Sequence, residues 1–205
     1  MKILFKIILN ILIIIGINFS THAFSTDWKI NSDGEKDIIK MRISSATQGV
    51  VGLYNIPISL EIVTSPGWKI YWRNPGDSGL PTEITFDGSQ NLKNFTILWP
   101  APFRFSTFGI DTFGYEGKII LPINLIPERV NEEINLISQI SLLACNEICI
   151  PFKQDFELII PKKAHAPNLN TRERAKYLSL VPKPTIPKGF SIGAVELNDD
   201  GILLE

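Results

Sequence analysis

Alternation of apolar and polar residues is the feature of this chain that most restricts its fold. Short alternating runs recur between glycine, proline and asparagine residues, and a period of two is typical of strands with one buried face. The runs cover residues 39–43, 58–63, 69–72, 82–86, 95–99, 118–126, 134–144 and 155–160. No stretch before residue 168 keeps a 3.6-residue period, which argues against a parallel sheet with crossover helices. The pattern therefore predicts an all-β antiparallel sandwich.

The N-terminal residues have the layout of a secretory signal peptide. Lys2 and Lys6 precede an apolar run over residues 7–19, and small residues occupy the −3 and −1 positions relative to a cleavage after Ala23. A run of about 13 residues is shorter than the roughly 20 that a membrane-spanning helix needs. We therefore expect residues 1–23 to be removed and the mature chain to be exported.

The charge balance argues against nucleic-acid binding. The chain has 20 basic and 21 acidic residues, and two of the basic ones lie in the signal peptide, so the mature chain carries 18 against 21, a formal charge of −3. This balance gives no basic surface for nucleic acid and no polybasic patch for a membrane. Two cysteines in an exported protein imply an oxidising compartment, in which a disulfide persists.

The composition changes after the sandwich, which we assign to residues 24–161. Residues 162–188 are rich in proline and contain one helical pattern. That pattern predicts a short helix over residues 171–180, with Asn170 or Thr171 as the N-cap. We therefore interpret this stretch as a linker with a short helix.

The C-terminal residues 189–205 have the pattern of a β-hairpin. An Asp-Asp-Gly turn separates two β-type runs. Because a two-stranded hairpin is marginally stable alone, we expect that it either pairs with the main domain or begins a second β domain that is cut short. We favour the second interpretation.

The chain has only two cysteines, Cys145 and Cys149, and they lie between two β-type runs. In an extended chain their Cα atoms would be about 13 Å apart, whereas a disulfide needs roughly 4.4–6.8 Å. The sulfurs can therefore bond only if the chain reverses within residues 146–148. The flanking runs predict such a reversal at the neck of a hairpin, and Pro151 is expected to keep the outgoing chain from pairing at once.

Three interpretations of the cysteine pair remain open from its chemistry alone. A static disulfide would close a ring of about five residues, which contributes only about 2 kcal/mol in the chain-entropy model. A redox pair is the second, because a tight ring is easily strained and strained bridges are more readily reduced. A metal site is the third. His165 and Met41 are too few for a four-ligand zinc site, although two thiolates would suit Cu(I).

The spacing also predicts how a redox pair would react. Cys-x₃-Cys differs from the Cys-x₂-Cys that opens a helix in thioredoxin-like proteins, and no βαβ pattern surrounds it. Without a helix N-terminus to lower a thiol pKa, we expect a weak attacking nucleophile. Such a pair suits a shuttle whose disulfide is attacked by the thiolate of a partner.

Aromatic residues are concentrated in residues 66–86 and 98–117. Aromatic residues at strand ends most often belong to the core. The functional alternative is an aromatic loop that caps the cysteine hairpin and keeps small oxidants and thiols away from the sulfurs. The candidates for this cap are Phe103, Phe105, Phe108 and Tyr115.

Other site chemistries have no support in the sequence. His22 is removed with the signal peptide and His165 lies in the linker, so a Ser-His-Asp arrangement is not expected. The glycines form no phosphate-binding loop. We therefore expect no cofactor and no resident metal.

Four motifs carry a resemblance to a known family. In chain order they are GWKIYWRNPGDSGLPTEITF, LWPAPFRF, FGYEGKIILPINL and ACNEICIPF. Together they resemble the N-terminal periplasmic domain of the DsbD-type thiol:disulfide interchange proteins, in the branch that includes suppressor-of-copper-sensitivity proteins. The likeness covers roughly residues 30–160.

The resemblance implies an immunoglobulin-like β-sandwich with the cysteine pair near one end, shielded by a cap loop. Cys145 and Cys149 match the redox pair of the family. Tyr71 and the segment around Phe108 match the region that flanks or caps it.

The resemblance also implies partners in the periplasm. A domain of this kind takes electrons from a membrane-embedded thiol carrier through a thioredoxin-like protein. It passes them to periplasmic oxidoreductases, disulfide isomerases or cytochrome-maturation proteins, which links it to cytochrome c biogenesis and, through its branch, to copper tolerance. The alternative is a non-catalytic sandwich with a permanent disulfide that recruits a partner or sequesters copper.

The sequence departs from a full interchange protein in one respect. Such proteins continue into a multi-helix membrane domain and a thioredoxin-like domain, and neither is found here. We therefore expect a stand-alone homologue or a truncated product, a component of a protein-disulfide reductase that does not complete the electron path by itself.

Overall fold

Most strands of the sandwich follow the alternating runs of the sequence. The structure, a computed structural model, describes residues 24–34, 36–107, 109–183, 195–198 and 201–204. In chain order the elements are β1 (Lys29–Ser32), β2 (Asp37–Ser45), β3 (Ile56–Thr64), β4 (Lys69–Gly76), β5 (Glu83–Thr85), β6 (Leu92–Ile97), β7 (Phe103–Thr107), β8 (Ile110–Glu116), β9 (Lys118–Pro127), β10 (Ile134–Cys145), β11 (Cys149–Ile160), α1 (Leu169–Leu178), β12 (Val195–Asn198) and β13 (Gly201–Leu204).

Two antiparallel sheets form the sandwich. The first sheet has the strand order β1-β2-β3-β9-β6, and the second has the order β11-β10-β4-β8-β7, with β5 beside β10. This arrangement confirms the predicted antiparallel sandwich. Strands β1, β7 and β8 were not predicted. The dense aromatic residues of β7 and β8 favoured a cap loop instead.

The core lies between the two sheets and is built by the period-two pattern. Along β10, Leu136 and Ile140 point inward and are fully buried, whereas Ile137 is 40% exposed. Burying one such side chain contributes about 1.5–3 kcal/mol. The facing strands β3 and β9 supply Leu60 and Leu121, which are also fully buried. The apolar contact across the sheets therefore holds the strand order in place.

Helix α1 begins earlier than the sequence pattern predicts. Asn168 is the N-cap: its side chain accepts the N–H of Asn170, and its own N–H donates to the hydroxyl of Thr171. These reciprocal bonds form a capping box, which satisfies donors that a helix start leaves free. The predicted caps, Asn170 and Thr171, therefore lie inside the first turn, and the helix ends at Leu178 rather than at residue 180.

The segment 162–183, which includes α1, packs against the first sheet. Arg174 is 9% exposed. Its guanidinium donates to the carbonyl of Ile58 at 3.2 Å and to the side-chain oxygen of Asn124 at 2.6 Å. A short bridge also pairs Thr47 with Pro167. This part of the predicted linker is therefore docked on the sandwich.

The two ends of the chain are described only in part. Strands β12 and β13 pair with each other in a separate two-stranded sheet. The predicted turn at residues 199–200 and the predicted signal peptide over residues 1–23 lie outside the described residues. Within the described ranges, no helix has the length and apolar character needed to cross a membrane.

Candidate functional site

The two cysteines form a disulfide at the tip of the β10–β11 hairpin. The strands pair over twelve consecutive positions, and the last pair is Cys145 opposite Cys149. In the turn between them, the N–H of Asn146 donates to the carbonyl of Ile148 at 2.9 Å. The two Cα atoms are 4.1 Å apart and the sulfurs are bonded at 2.05 Å. The chain reversal that the spacing requires is therefore confirmed.

The outgoing strand pairs sooner than expected. Pro151 lies opposite Leu143, and β11 begins at Cys149 itself, so the predicted delay in pairing is wrong. Strand β11 is the edge of the second sheet, where a residue without an N–H is tolerated. The disulfide therefore joins two residues that are directly opposite each other in the β10–β11 pairing.

The two cysteines differ in exposure. Cys145 is 2% exposed, whereas Cys149 is exposed. Cys145 lies inside the sheet, because β10 also pairs with β4 and places Lys69 on its other side. Cys149 lies on the edge strand and has a neighbour on one side only. A second protein can therefore reach Cys149 more easily than Cys145.

The disulfide lies on the face of the second sheet that points away from the core. Successive side chains of a strand point to opposite faces. Ala144, Ile70 and Tyr115 belong to the core cluster, so their next neighbours along each strand point outward. These neighbours, which are opposite one another in register, are Cys145, Lys69 and Glu116. We call this side of the second sheet the outer face.

Tyr71 is buried on the outer face by the turn-rich loop that follows β4. It lies two residues beyond Lys69 and is 4% exposed. A Cβ atom added to Gly79 would be 2.3 Å from a carbon of the Tyr71 ring, and Tyr71 forms a bridge with Pro81. Burial raises the pKa of the Tyr71 hydroxyl. Tyr71 therefore remains a neutral part of the surface around the disulfide.

Phe103 and Phe105 also belong to the outer face. Phe103 is opposite Gly114, which in turn is opposite Tyr71. Phe105 lies two residues further along β7, so its side chain points to the same face. Phe103 is 67% exposed, although it is a large apolar residue. The structure thus places both aromatic residues on the same sheet face as the cysteine pair.

The other two predicted cap residues are placed differently. Tyr115 points into the core, on the opposite face from Cys145, and its hydroxyl donates to the carbonyl of Pro100 at 2.7 Å. Burial raises the pKa of this hydroxyl. Phe108 lies outside the described residues.

Lys69 lies near the site but is not among the predicted site residues. Its ammonium nitrogen donates to the hydroxyl of Thr112 at 3.2 Å and lies 5.1 Å from the ring centre of Phe105 and 5.9 Å from that of Tyr71. Lysine over an aromatic face is a favourable cation–π contact. The alternation in residues 69–71 was a usable signal, because it places Lys69 and Tyr71 on one face.

An apolar groove adjoins the disulfide on the outer face. It has a volume of about 440 Å³. Leu143 and Pro151, the next pair of this face after the cysteines, form one wall, and Leu80 and Pro81 form the other. No sequence pattern predicts this groove, because its two walls are distant in the chain.

No metal-binding cluster accompanies the site in the part of the chain that the structure describes. In that part, no group of three or more histidine, cysteine, aspartate or glutamate residues is close enough to hold an ion.

Comparison with known proteins gives the family. A family model described as the N-terminal part of the thiol:disulfide interchange protein DsbD matches residues 50–161, which is more than half of the chain. The chain belongs to the DsbD N-terminal domain family. This match confirms the predicted resemblance, and the immunoglobulin-like sandwich is the fold of this family.

Two solved structures of N-terminal domains are similar to this chain. The N-terminal periplasmic domain of ScsB from Proteus mirabilis is 27% identical, with a TM-score of 0.63; the alignment covers 84% of this chain and 64% of that chain. The reduced DsbD N-terminal domain from Neisseria meningitidis is 11% identical, with a TM-score of 0.33, over 60% of this chain and 90% of that chain. This chain therefore spans about two thirds of the length of the ScsB structure that it matches. No curated protein sequence matches it.

Proposed function

We propose that this chain is a periplasmic thiol–disulfide exchange domain whose Cys145–Cys149 disulfide is opened and closed by thioredoxin-like proteins. The observation that carries the proposal is the unequal exposure of the two cysteines on an outward-facing surface. Membership of the DsbD N-terminal domain family supports the same reaction.

The exposed cysteine receives the incoming thiolate. The partner's thiolate attacks the sulfur of Cys149, a bond forms between those two sulfurs, and the bond between Cys149 and Cys145 breaks. The electron pair leaves on the sulfur of Cys145. A second thiolate of the partner then attacks the partner's own sulfur in the mixed disulfide and releases Cys149. The domain gains two electrons as two thiolates, and each takes up a proton from solvent to the extent that its pKa allows.

The reduced domain passes the electrons on by the reverse sequence. The thiolate of Cys149 attacks a disulfide of the target, and a mixed disulfide forms. The thiolate of Cys145 then attacks the sulfur of Cys149, which restores the internal disulfide and releases the reduced target. This chemistry needs only the two sulfurs and a partner that fits the outer face.

Exposed apolar residues on the side of the molecule that carries the disulfide support the proposal that its partners are proteins. Leu80, Phe103 and Ile148 are 62%, 67% and 63% exposed. Contiguous apolar surface, such as the groove walls that include Leu80, is typical of protein interaction sites. The partners that we propose are thioredoxin-like or disulfide-isomerase proteins, with a membrane thiol carrier as the electron source.

Trapping of mixed disulfides tests the proposal. Purified Cys145→Ala protein, which keeps the exposed Cys149, is mixed with a thioredoxin-like protein whose resolving cysteine is alanine and whose remaining thiol is activated. We expect a mixed disulfide on a non-reducing gel. The matched Cys149→Ala protein keeps only the buried thiol and should react far more slowly. The exchange function is wrong if neither variant forms the mixed disulfide.

The reduction potential of the Cys145–Cys149 bond distinguishes a disulfide that exchanges with partners from a permanent structural one. A potential below about −300 mV marks a structural bridge that thiol pools leave intact, whereas an exchange domain requires a higher value. The copper-sequestering alternative predicts that the reduced protein binds Cu(I) in a titration and that the double Cys145→Ala/Cys149→Ala variant does not.

A further inference from the structure

The sulfur of Cys145 must carry a negative charge when the disulfide opens. In the proposed exchange reaction it leaves as a thiolate, and the later closing step starts from the same thiolate. Cys145 is 2% exposed, and burial disfavours the charged form of a thiol. A nearby positive charge would offset this cost.

Lys69 is placed to supply that charge. It lies directly opposite Cys145 on the neighbouring strand and points to the same outer face. Side chains directly opposite each other in an antiparallel pair have Cβ atoms about 4.5–5.5 Å apart. The lysine stem of four carbons is flexible, so its ammonium can swing from its present position to the sulfur.

The present contacts of Lys69 leave its charge uncompensated. Its ammonium is held by a hydroxyl and two rings, those of Thr112, Phe105 and Tyr71. Among the described residues, no carboxylate lies within 4.0 Å of its nitrogen. A thiolate at Cys145 would be a stronger partner than either ring.

The acidic residues near the outer face do not pair with the ammonium of Lys69 in place of the thiolate. Glu116 of β8 is opposite Lys69, but its carboxylate accepts the N–H of Gly67 at 2.9 Å. Glu147 lies in the exposed turn between the cysteines. Burial raises the pKa of Tyr71, which keeps that neighbour neutral. Lys69 is thus the cation closest in register to the buried sulfur.

We propose that Lys69 is the counter-ion of the Cys145 thiolate in the open states of the disulfide. When the bond to Cys149 breaks, the electron pair goes to the sulfur of Cys145, and the ammonium of Lys69 moves from the aromatic rings to that sulfur. No proton is transferred from Lys69 in this step. The proposal rests on the proposed function only for its role in exchange with a partner.

The pKa of the Cys145 thiol tests the proposal directly. It is measured in the Cys149→Ala variant from the pH dependence of alkylation by iodoacetamide. Adding Lys69→Met, which keeps the length of the side chain but removes its charge, should raise the thiol pKa by about one unit. Lys69→Arg should leave it close to the starting value. Lys69→Gln is the second neutral variant if Lys69→Met does not fold.

A matched control removes another lysine that is stacked on an aromatic ring. Lys40 lies 5.0 Å from the ring centre of Trp28 and belongs to the first sheet, so Lys40→Met should not move the thiol pKa of Cys145. In the two-cysteine protein, Lys69→Met should also slow reduction of the disulfide by dithiothreitol several-fold, and added salt should reduce the difference.

The outcomes separate the counter-ion from a structural role. An unchanged thiol pKa in both neutral variants overturns the proposal, and a lowered melting temperature with that result would make Lys69 a clamp between β4 and β7. A raised thiol pKa supports the proposal even if no mixed disulfide can be trapped. In that case the exchange function fails and the electrostatic pairing stands.

Discussion

The two faces of the second sheet show how one set of strands serves two purposes. The core face carries residues such as Ala144 and Ile70, which are fully buried against the first sheet. The outer face carries Cys145 and Tyr71, which are nearly as buried but lie beside an apolar groove and an exposed sulfur. Burial on the core face stabilises the fold, whereas we expect burial on the outer face to set the reactivity of the disulfide. Changes to the two faces should therefore separate stability from exchange.

The largest effect on stability is expected from a core-face truncation far from the disulfide. Leu136→Ala should lower the free energy of unfolding by about 3 kcal/mol, because it leaves a cavity at a fully buried position. Urea unfolding measures the loss, and the rate of mixed-disulfide formation per folded molecule should not change. Ile137→Ala, the next residue on the outer face, is the control and should cost less than about 1 kcal/mol. Equal losses in the two variants would contradict the division between the faces.

The next effect concerns the loop that covers Tyr71. Gly79 has a φ of +103°, and an added Cβ would be 2.3 Å from the Tyr71 ring. Gly79→Ala should therefore lower the free energy of unfolding by about 2 kcal/mol. It should also speed reduction of the disulfide by dithiothreitol, since the ring must move.

Gly34→Ala is the matched control for this loop. Gly34 has a φ of +105° with nothing within 4 Å of an added Cβ, so it carries the backbone strain without the contact. If the two variants behave alike in unfolding and in reduction rate, the contact with Tyr71 has no influence on the site.

A smaller, pH-dependent effect is expected from the core-face tyrosine. Tyr115→Phe removes the hydrogen bond to Pro100 and should cost about 1 kcal/mol at pH 8. Burial raises the pKa of Tyr115 above its ordinary value of 10.0, so the folded state keeps a proton that the unfolded state loses. The stabilisation is complete below about pH 10 and decreases as the pH rises further.

Unfolding measured at pH 8 and pH 11 checks this sign. The unmodified protein should lose more stability between the two values than Tyr115→Phe does. Tyr54→Phe, at a position that is 78% exposed, should behave like the unmodified protein. A steeper loss in Tyr115→Phe would show that the proton linkage has the opposite direction.

The smallest effect on stability should accompany a clear effect on exchange. Phe103→Ala removes an exposed ring from the outer face and should change the free energy of unfolding by less than about 0.5 kcal/mol. Mixed-disulfide formation with a thioredoxin-like protein should slow several-fold, because part of the docking surface is lost. Leu169→Ala, which removes a residue that is 95% exposed at the start of α1, should leave the rate unchanged. Equal rates for the two variants would exclude Phe103 from the docking surface.

Much of the fold could be predicted from local pattern alone. The eight alternating runs became strands, because a period of two specifies which side chains are buried whatever the strand order. The pattern failed at β7 and β8, where aromatic residues such as Phe103 and Phe105 stand on an exposed sheet face instead of in a loop. It also placed the start of α1 late, because the capping box of Asn168 and Thr171 lies before the apolar pattern begins.

The candidate site could likewise be predicted only where its residues are close together in the chain. Motifs and spacing were enough to single out the cysteine pair and Tyr71 as candidates, since each lies within a short stretch of chain. Lys69 and the groove wall at Leu80 were missed, because their proximity to the disulfide depends on pairings between distant strands. Tyr115 was grouped with the cap residues, although the register of β8 with β4 turns it into the core.

The sequence by itself determined that the two sulfurs can meet only through a sharp reversal, and that the strands around them have one apolar and one mixed face. These properties follow from the length of a residue in extended chain and from the alternation of side chains. Only the tertiary structure decided that Cys145 is buried and Cys149 is open. That difference arises because β10 has neighbours on both sides while β11 lies at the edge, and strand order is set by long-range packing.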